Sequence, residues 1–362
     1  MIDKQRGFFP ALLDTINPYA WVTAARNRAF DRGILPSKAY TLPTICIGNI
    51  SVGGTGKTPH TEYLINILKD KYRTAMLSRG YGRKSRGYIM ATPGVTMQQI
   101  GDEPFQIKNK FNDISVAVCE KRVTGMDNLI AEVNGLQVVL LDDAFQHRYV
   151  KAGLNILLID SNRPIWQDCV LPFGRLRESL AGIGRADIAV ITKCNGITAK
   201  QQQWCIDYIK QRKDIPVFFS RMKYGKLYPV FDSAKETSPG ITAGSQVLLL
   251  TGIARPEPLK AEIESHGAQV TLLQYGDHHN FTERDFDNIA TRYNGIEAGN
   301  KIIITTEKDA TRLLQTPSLP KEIKDNIYAL PIEVEILNNQ DKMFNQIIED
   351  YVAENSRNST IP

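Results

Sequence analysis

Apolar runs of strand length alternate with more polar segments of helical length along most of this chain. The runs that match buried strands are residues 44–48, 74–78, 115–119, 137–141, 154–160 and 187–192. Residues 58–70, between the first two runs, have the length of a helix. Because parallel strands are buried on both faces and are joined by helices, this alternation predicts a doubly wound, mostly parallel α/β sheet.

The pattern changes near residue 214. The runs 216–222 and 226–231 flank Gly225 in a hairpin-like arrangement, which predicts a two-stranded ribbon between two lobes. Beyond it, the predicted strands are 247–252, 269–273 and 301–306, and the predicted helices are 256–266 and 282–293. We therefore expect a second, smaller α/β lobe joined to the first by a β-ribbon. The predicted division is an N-terminal arm at 1–35, a main domain at 36–214, a two-stranded linker at 215–235 and a C-terminal domain at 236–362.

Residues 8–30 form a distinct N-terminal segment that is rich in aromatic and aliphatic side chains. Pro18 divides it into two short predicted helices, and Arg26, Arg28 and Arg32 lie close by. Apolar, aromatic and basic side chains in such helices are typical of a segment that lies in a lipid interface. Packing of this arm against the main domain is the alternative, and the sequence leaves both open.

Composition narrows the class of protein. The chain has 362 residues, of which 42% are hydrophobic and 23% are charged, as in ordinary globular proteins. Its formal charge of +5 is too small to indicate wholesale nucleic-acid binding, although it suits an anionic ligand or membrane surface. The five cysteines lack a Cys-x-x-Cys spacing, so neither a disulfide framework nor a zinc ribbon is predicted, and a reducing cytosol is expected. No apolar run approaches the roughly 18–20 residues that a membrane-spanning helix needs.

A glycine-rich loop follows the first predicted strand. Residues 48–58 read Gly-Asn-Ile-Ser-Val-Gly-Gly-Thr-Gly-Lys-Thr, and a predicted helix begins near Pro59. A Walker A phosphate site requires this order, because the loop N–H groups and the helix N-terminus bind phosphate oxygens. The general pattern would place a glycine at position 51, where this chain has Ser51. The residues predicted to bind the nucleotide are Ser51, Val52, Gly53, Gly54, Thr55, Gly56, Lys57 and Thr58.

The loop predicts roles for two of its residues in binding ATP and magnesium. The end of another predicted strand supplies acidic residues for the magnesium ion. Lys57 should reach the β- and γ-phosphates of ATP, and the Thr58 hydroxyl should ligate Mg²⁺. P-loop domains place a magnesium-orienting acid at the end of another core strand, and Asp142 and Asp143 follow the run 137–141 in this way. The alternative for this acidic pair is a simple cap on an exposed strand end.

Seven short motifs make the prediction more specific. They are Gly48–Pro59, Leu77–Arg83, Gly101–Pro104, Leu141–His147, Leu171–Glu178, Asp277–His279 and Thr306–Asp309. In this order, over roughly residues 30–310, they resemble the lipid A 4′-kinase (tetraacyldisaccharide 4′-kinase) family of Gram-negative bacteria. The phosphate loop of that family looks like the loop found here, with serine at the position of Ser51. The resemblance implies a P-loop NTPase-like fold for the main domain.

The resemblance also implies a reaction and its setting. The γ-phosphate of ATP would pass to the 4′-hydroxyl of a tetraacylated glucosamine disaccharide 1-phosphate, which yields lipid IVA in lipid A biosynthesis, with ATP and Mg²⁺ as cofactors. The protein would be peripheral at the cytoplasmic face of the bacterial inner membrane. The expected partners are the glycolipid substrate and an anionic membrane surface, with no nucleic acid and no obligate protein partner. The arm would contact lipid, and the basic cluster Arg79, Arg83, Lys84 and Arg86 would meet a substrate phosphate.

The resemblance places a catalytic aspartate at Asp102. Phosphoryl transfer often uses one carboxylate to accept the proton of the attacking hydroxyl. The resemblance further implies that a histidine of Asp277–His279 pairs with Asp102 across the cleft; we assign this role to His278, although the sequence does not separate it from His279. Lys57 completes the predicted catalytic set. The residues expected in the magnesium shell are Thr58, Glu103, Asp143 and Glu178.

Two other classes of protein remain open at this stage. A P-loop GTPase or metallochaperone-like switch would carry an Asn/Thr-Lys-x-Asp guanine clamp; residues 192–195 read Thr-Lys-Cys-Asn and lack the aspartate. A kinase of a soluble metabolite would make no use of residues 8–30. Preference for GTP over ATP would favour the first class, and failure to sediment with anionic liposomes would favour the second.

Overall fold

The computed structural model describes residues 2–3, 13–231, 240–276, 279, 281–297, 300–315 and 319–357. The strands are β1 Lys38–Ala39, β2 Thr44–Gly48, β3 Thr74–Ser78, β4 Ile89–Met90, β5 Ser115–Val118, β6 Val138–Asp142, β7 Val150–Lys151, β8 Leu154–Asp160, β9 Ile188–Thr192, β10 Val217–Tyr224, β11 Tyr228–Pro229, β12 Gln246–Thr251, β13 Gln269–Gln274, β14 Lys301–Thr306, β15 Ile327–Leu330 and β16 Ile332–Ile336. The helices are α1 Pro18–Asp31, α2 Lys57–Leu68, α3 Met97–Ile100, α4 Asp102–Lys110, α5 Arg122–Glu132, α6 Ala199–Lys210, α7 Glu257–Ser265, α8 Glu283–Asn294, α9 Glu307–Leu313, α10 Lys321–Asn326 and α11 Asp341–Arg357.

A nine-stranded sheet forms the first lobe, in the order β16-β10-β9-β8-β2-β6-β3-β5-β4. Its seven central strands run parallel to one another, whereas the edge strands β16 and β4 are antiparallel to their neighbours. Strands β2, β3, β6 and β9 are buried along their whole length, because apolar cores cover both faces of the sheet. The predicted doubly wound sheet is confirmed.

The second lobe is built on a five-stranded sheet in the order β11-β15-β14-β12-β13. Its strands are parallel except for β11, and apolar cores again lie on both faces. Helices α7 and α8 lie within one or two residues of their predicted positions. The predicted smaller α/β lobe is therefore confirmed.

The predicted strands on the two sides of Gly225 are present as β10 and β11, but they do not pair with each other. Strand β10 pairs antiparallel with β16, from Ser220 opposite Ile336 to Tyr224 opposite Ile332, while β11 pairs with β15 of the second lobe. The hairpin partner inferred from the runs around Gly225 was wrong. The true partner lies far along the chain, and no local pattern of residues points to it.

The C-terminal residues return to the first lobe. Strand β16 is an edge strand of the nine-stranded sheet, and Phe344, Ile348 and Val352 of α11 are buried in the core on one face of that sheet. Residues 332–357 thus belong with the main domain, so the structure differs from the predicted division, in which residues 236–362 form one C-terminal domain. Hydrophobic burial accounts for this difference, because the apolar face of α11 is covered by the core of the first lobe.

The N-terminal segment both packs on the first lobe and exposes apolar side chains. Helix α1 starts at Pro18, and the Asn17 side chain caps it by accepting from the N–H groups of Tyr19 and Ala20. Asn17 also donates to the carbonyl of Leu171 at 2.8 Å, which ties the helix start to the first lobe. On the outer side, Trp21 and Val22 are 58% and 67% exposed. Phe8, Phe9 and Leu12 of the predicted arm lie outside the described residues. Within the described part of the chain, no helix combines the length and the hydropathy needed to cross a bilayer.

Candidate active site

The phosphate loop leads from the end of β2 into α2. Gly56 is the residue before α2 and has φ 89°, and Gly53 has φ 105°, conformations that disfavour any side chain. The Asn49 Nδ2 donates to Thr55 Oγ1 at 2.8 Å across the loop. No described side chain caps the start of α2, so its first N–H groups are directed at the place that a phosphate would occupy.

The segment that contains the Leu171–Glu178 motif braces this loop from outside. The Val52 N–H donates to the carbonyl of Arg175 at 2.7 Å, and the Arg177 N–H donates to the carbonyl of Ile50 at 2.8 Å. Ser51 and Leu176 form an isolated β-bridge between these bonds. The motif therefore holds the outer half of the phosphate loop in place.

His60 on α2 forms two hydrogen bonds that hold the phosphate loop in place. His60 Nδ1 lies 2.7 Å from the carbonyl of Gly56, and its Nε2 lies 3.0 Å from Ser220 Oγ. Burial lowers the pKa of His60 to about 4, so the ring is uncharged at neutral pH. Since a carbonyl only accepts, Nδ1 carries the proton and Ser220 donates to Nε2. These two hydrogen bonds link the phosphate loop to β10.

Lys57 lies at the start of α2 beside the acid that follows β6. Its Nζ is 3.7 Å from Asp143 Oδ1, and the Lys57 side chain is 12% exposed. Arg177 Nη1 contacts the same Asp143 oxygen at 2.9 Å. Two cations thus converge on one carboxylate next to the phosphate loop. The arrangement supplies positive charge where a triphosphate would end.

The other acid of the pair is deeply buried. Burial raises the pKa of Asp142 to about 7, and the neighbouring Glu103 and Asp143 carboxylates add to the rise. Thr61 Oγ1 and Ser78 Oγ each donate to Asp142 at 3.3 Å. Gly101, just before α4, lies against the backbone of Gly80 and Tyr81, and Ser78 of the same segment donates to Asp142, so the start of α4 lies close to the end of β6. The structure therefore brings Glu103, Asp142 and Asp143 to one place.

This crowding of carboxylates fits a hard divalent cation. Among the described residues, no group of three or more His, Cys, Asp or Glu side chains is arranged to enclose a metal by itself. Magnesium, however, usually shares its shell with phosphate oxygens and water. A cation here would offset the negative charges of Glu103 and Asp143, which add to the effect of burial in raising the pKa of Asp142. Thr58 at the start of α2, Glu103 and Asp143 are the residues that could hold it.

Glu178, the fourth residue predicted in the magnesium shell, is engaged by protein donors. Its side chain accepts from Asn27 Nδ2 at 2.8 Å, from Gln146 Nε2 at 2.9 Å and from Arg185 Nη2 at 2.7 Å. Gln146 also donates to the carbonyl of Asn49 at 2.7 Å. Glu178 thus connects α1 with the start of the phosphate loop, and its place in a metal shell stays a prediction.

A cleft of about 820 Å³ opens between the lobes. Asp102 and Glu103, the first residues of α4, line it together with Tyr81. Gly101 precedes them with φ 90°, and a Cβ there would lie 2.7 Å from the carbonyl oxygen of Tyr81. The Leu77–Arg83 and Gly101–Pro104 motifs meet at this close approach. The second lobe contributes Phe281, Lys308, Arg312 and Gln315 to the cleft.

The four residues of the basic cluster differ in their exposure to solvent. Arg79, Lys84 and Arg86 are exposed, and Lys84 lines the cleft. Arg83 instead turns inward, with a 3% exposed side chain 2.6 Å from Glu120. The burial of Arg83 and its pairing with Glu120 do not support a contact with a substrate phosphate, which stays a prediction.

The second lobe reaches Asp102 through an arginine. Arg312 Nη2 lies 2.9 Å from Asp102 Oδ2, and Arg312 is also bonded to Asp309 of the Thr306–Asp309 motif. His278 lies outside the described residues, so its predicted pairing with Asp102 stays a prediction. His279 Nε2 lies 2.9 Å from Asp285 Oδ2. Of the two neighbouring histidines, His279 is thus held within its own lobe.

The sequence prediction missed Lys193, which contacts the phosphate loop. Its Nζ donates to the carbonyl of Gly54 and lies 2.7 Å from Asp160 Oδ2, while Thr192 Oγ1 donates to the carbonyl of Thr55 at 2.9 Å. In the sequence, residues 192–195 resemble only an incomplete guanine clamp. Their position directly after a buried strand was the available signal.

Comparisons with known proteins agree with this geometry. The model of the tetraacyldisaccharide-1-P 4′-kinase family matches residues 11–353. The tetraacyldisaccharide 4′-kinase of Bacteroides thetaiotaomicron is 48% identical, over 95% of this chain and 94% of the relative, and that of Bacteroides fragilis strain YCH46 is 47% identical over the same shares. The crystal structure of LpxK from Aquifex aeolicus in complex with ATP superposes with a TM-score of 0.73 at 27% identity, over 94% of this chain and 98% of that one.

The two alternatives that the sequence left open, a GTPase-like switch and a kinase of a soluble metabolite, are not favoured by these relatives. The family implies a glycolipid acceptor, a precursor of lipid A. The expected resemblance, fold and ATP-dependent kinase activity are confirmed. The chain belongs to the tetraacyldisaccharide-1-P 4′-kinase family.

Proposed function

We propose that this chain binds ATP on the loop of residues 51–58 and transfers its γ-phosphate to the 4′-hydroxyl of tetraacyldisaccharide 1-phosphate held in the cleft between the lobes. The observation that carries this proposal is the placement of Asp102 in that cleft, next to Glu103, whose charge acts on Asp142 at the end of β6. A candidate base, an acid cluster and a phosphate loop thus converge from three separate elements.

Each residue then has a defined task in the reaction. Asp102 accepts the proton as the 4′-oxygen forms its bond to the γ-phosphorus, the bond from that phosphorus to the β–γ bridging oxygen breaks, and ADP leaves. Lys57 and the first N–H groups of α2 neutralise the charge on the phosphates. Magnesium, when bound, would offset charge on the β- and γ-phosphates, and Thr58, Asp143 and Glu103 would hold it.

The base of ATP would lie in a smaller cleft of about 270 Å³ beyond the ends of β8 and β9. Ser161 and Asn162 after β8, and Asn195 and Gly196 after β9, line it. Lys193 precedes Cys194 of this lining in the sequence, and its Nζ donates to the carbonyl of Gly54 in the phosphate loop. In parallel α/β sheets, ligands bind beyond the carboxyl ends of the strands, which is where both clefts lie.

The membrane position is part of the same proposal. The acceptor carries four acyl chains, so the enzyme must meet it at a lipid surface, and we place the protein as a peripheral one at the cytoplasmic face of the inner membrane. The support comes from α1, whose outer side exposes Trp21 and Val22 while its inner side bonds to Gln146 and Glu178. Exposed apolar and aromatic side chains on a helix fixed to the domain fit an interfacial role.

The test uses ATP labelled at the γ-phosphate and purified tetraacyldisaccharide 1-phosphate in mixed micelles. We expect label in a lipid product, and we expect Asp102→Asn to lower kcat by about 10²–10⁴-fold with ATP binding unchanged, because the base acts in the chemical step. Lys71→Ala, on the exposed surface pair with Glu349, is the matched control. Absence of labelled lipid would overturn the reaction, whereas parental turnover by Asp102→Asn would overturn only the choice of base.

A further inference from the structure

A buried arginine of the second lobe holds an accessible carboxylate of the first. Arg312 on α9 places Nη2 2.9 Å from Asp102 Oδ2. The Arg312 side chain is 4% exposed, whereas that of Asp102 is 37% exposed and lines the cleft. An ordinary surface ion pair joins two exposed side chains and stabilises little. Here one partner is fixed and the other faces the substrate space.

Asp309 fixes the arginine from behind. Arg312 Nη1 lies 3.2 Å from Asp309 Oδ1, and the Asp309 side chain is 0% exposed. The other oxygen, Oδ2, accepts from Thr306 Oγ1 at 2.7 Å and from the Gly252 N–H at 3.0 Å. Because a guanidinium is planar and rigid, anchoring one edge on Asp309 directs the other edge at Asp102.

A second ion pair at the far end of the same helix pair offers a comparison. Helices α4 and α9 are antiparallel, so that Lys110 at the end of α4 meets Glu307 at the start of α9, with Nζ 2.6 Å from Oε1. Both pairs join the lobes. Of the two, the Arg312 pair lines the cleft and the Lys110 pair does not. Loss of the Lys110 pair therefore measures how weaker docking of the lobes affects the reaction rate. Loss of the Arg312 pair adds any direct effect on Asp102.

We propose that Arg312, oriented by Asp309, is a positioning residue that holds the Asp102 carboxylate in the orientation from which it accepts the proton of the acceptor hydroxyl. This inference deepens the proposed function and rests on it. The guanidinium restricts the rotamers that the Asp102 side chain adopts, so its loss weakens this restriction and leaves fewer bound complexes in a reactive orientation. The orientation of the base also depends on the docked position of the second lobe, because Arg312 belongs to that lobe.

The test is a double-mutant cycle between Arg312 and Asp102 with kinetics on both substrates. We expect Arg312→Gln to lower kcat by about 10–100-fold while the KM for ATP changes by less than about twofold. Arg312→Lys should recover part of kcat, because lysine restores the charge without the fork. In an Asp102→Asn background, Arg312→Gln should cause no further loss, since it acts through Asp102. Guanidinium ion at millimolar concentration should raise kcat of Arg312→Ala.

The control is Glu307→Gln, which removes the other ion pair between the lobes. We expect its kcat to stay near the parental value, with thermal unfolding reporting the folded state of each variant. Equal losses of kcat in Glu307→Gln and Arg312→Gln, or additive losses with Asp102→Asn, would overturn the inference and assign Arg312 a structural role. If Asp102→Asn alone keeps parental turnover, Asp102 is not the base. The single Asp102→Asn variant reports this outcome separately from the Arg312 variants.

Discussion

At the scale of single residues, the site is a set of charges arranged before any nucleotide binds. Asp143 is approached by Lys57 at 3.7 Å and by Arg177 at 2.9 Å, so both cations are held near the end of the loop by one acid. A magnesium ion and a triphosphate would bring their own opposite charges to the same place. Binding would therefore exchange one set of ion pairs for another, with little rearrangement of side chains.

Loss of Lys57 should damage catalysis severely. We expect Lys57→Ala to lower kcat by about 10²–10³-fold or more, because its ammonium stabilises charge that develops on the transferred phosphate. The measurement is transfer of labelled phosphate at saturating ATP, with Lys69→Ala as a control. Lys69 lies at the other end of α2 and pairs with Asp70 and Asp113 on the surface. Equal rates for Lys57→Ala and Lys69→Ala would contradict the assignment.

Sequence motifs located the residues of this site unequally. The phosphate loop and the Asp142–Asp143 pair follow strands, so local order was enough to predict them, and Asp102 was found through the family resemblance. Arg312 and Lys193 could not be found in this way. Each acts through a contact with a residue far away in sequence, Arg312 with Asp102 and Lys193 with Gly54, and a contact of that kind leaves no local pattern.

At the scale of elements, the glycines of the phosphate loop are not equivalent. Gly56 has φ 89°, and a Cβ would lie 2.3 Å from Met222 Cε, whereas a Cβ at Gly54 would meet nothing within 4 Å. We expect Gly56→Ala to reduce the free energy of unfolding by about 1–2 kcal/mol, since a left-handed conformation is strained for alanine and Met222 must move. Urea unfolding of the nucleotide-free protein measures this.

The matched control is Gly54→Ala in the same loop. Gly54 does not have a positive φ, so alanine should leave stability within about 0.5 kcal/mol of the parent or raise it slightly. If both substitutions destabilise the protein equally, the special conformation of Gly56 does not explain its position.

Helix α1 gives the membrane proposal a direct test. We expect replacement of Trp21 and Val22 by serine to reduce sedimentation with anionic liposomes severalfold, because both side chains are exposed and apolar burial drives interfacial binding. Transfer to a short-chain, micellar acceptor should change much less. Met343→Ser, at a 55% exposed position on α11, is the control for loss of any exposed apolar side chain. Unchanged sedimentation of the double variant would argue against a membrane role for α1.

At the scale of the whole molecule, the sequence predicts two lobes. It does not predict how the chain passes between them. Apolar runs and their spacing indicated two α/β sheets, since each run has to be buried between helices. The pairing of β10 with β16 and the return of α11 to the first lobe depend on contacts between distant parts of the chain. These returning elements mean that the second lobe is inserted into the first, and the two are joined by two connections.

Beside this junction lies a buried group of charges that joins the lobes. Lys110 Nζ is 2.6 Å from both Glu62 of α2 and Glu307 of α9, and Tyr228 donates to Glu307 at 3.1 Å. One lysine neutralises only one of the two carboxylates. Burial and the Glu307 charge therefore raise the pKa of Glu62 from its ordinary 4.5 to about 7.

This shift predicts a pH dependence of stability. Between about pH 4.5 and 7 the folded protein keeps a proton on Glu62 that the unfolded chain has released, so the free energy of unfolding falls as pH rises through this window. Glu62→Gln cannot release that proton. We expect the variant to gain roughly 1–3 kcal/mol relative to the parent on going from about pH 5 to pH 8, measured by urea unfolding at each pH.

The comparison with the parent separates the contribution of Glu62 from that of Asp142. Asp142 also has a raised pKa, but it is present in both proteins and its contribution cancels in the difference. Glu349→Gln, in the surface pair with Lys71, should show the pH profile of the parent. A stability difference between Glu62→Gln and the parent that stays constant over this pH range would mean that Glu62 is already ionised at pH 5. The junction of the lobes would then hold two charged carboxylates around Lys110 throughout, and proton uptake would play no part in holding the lobes together.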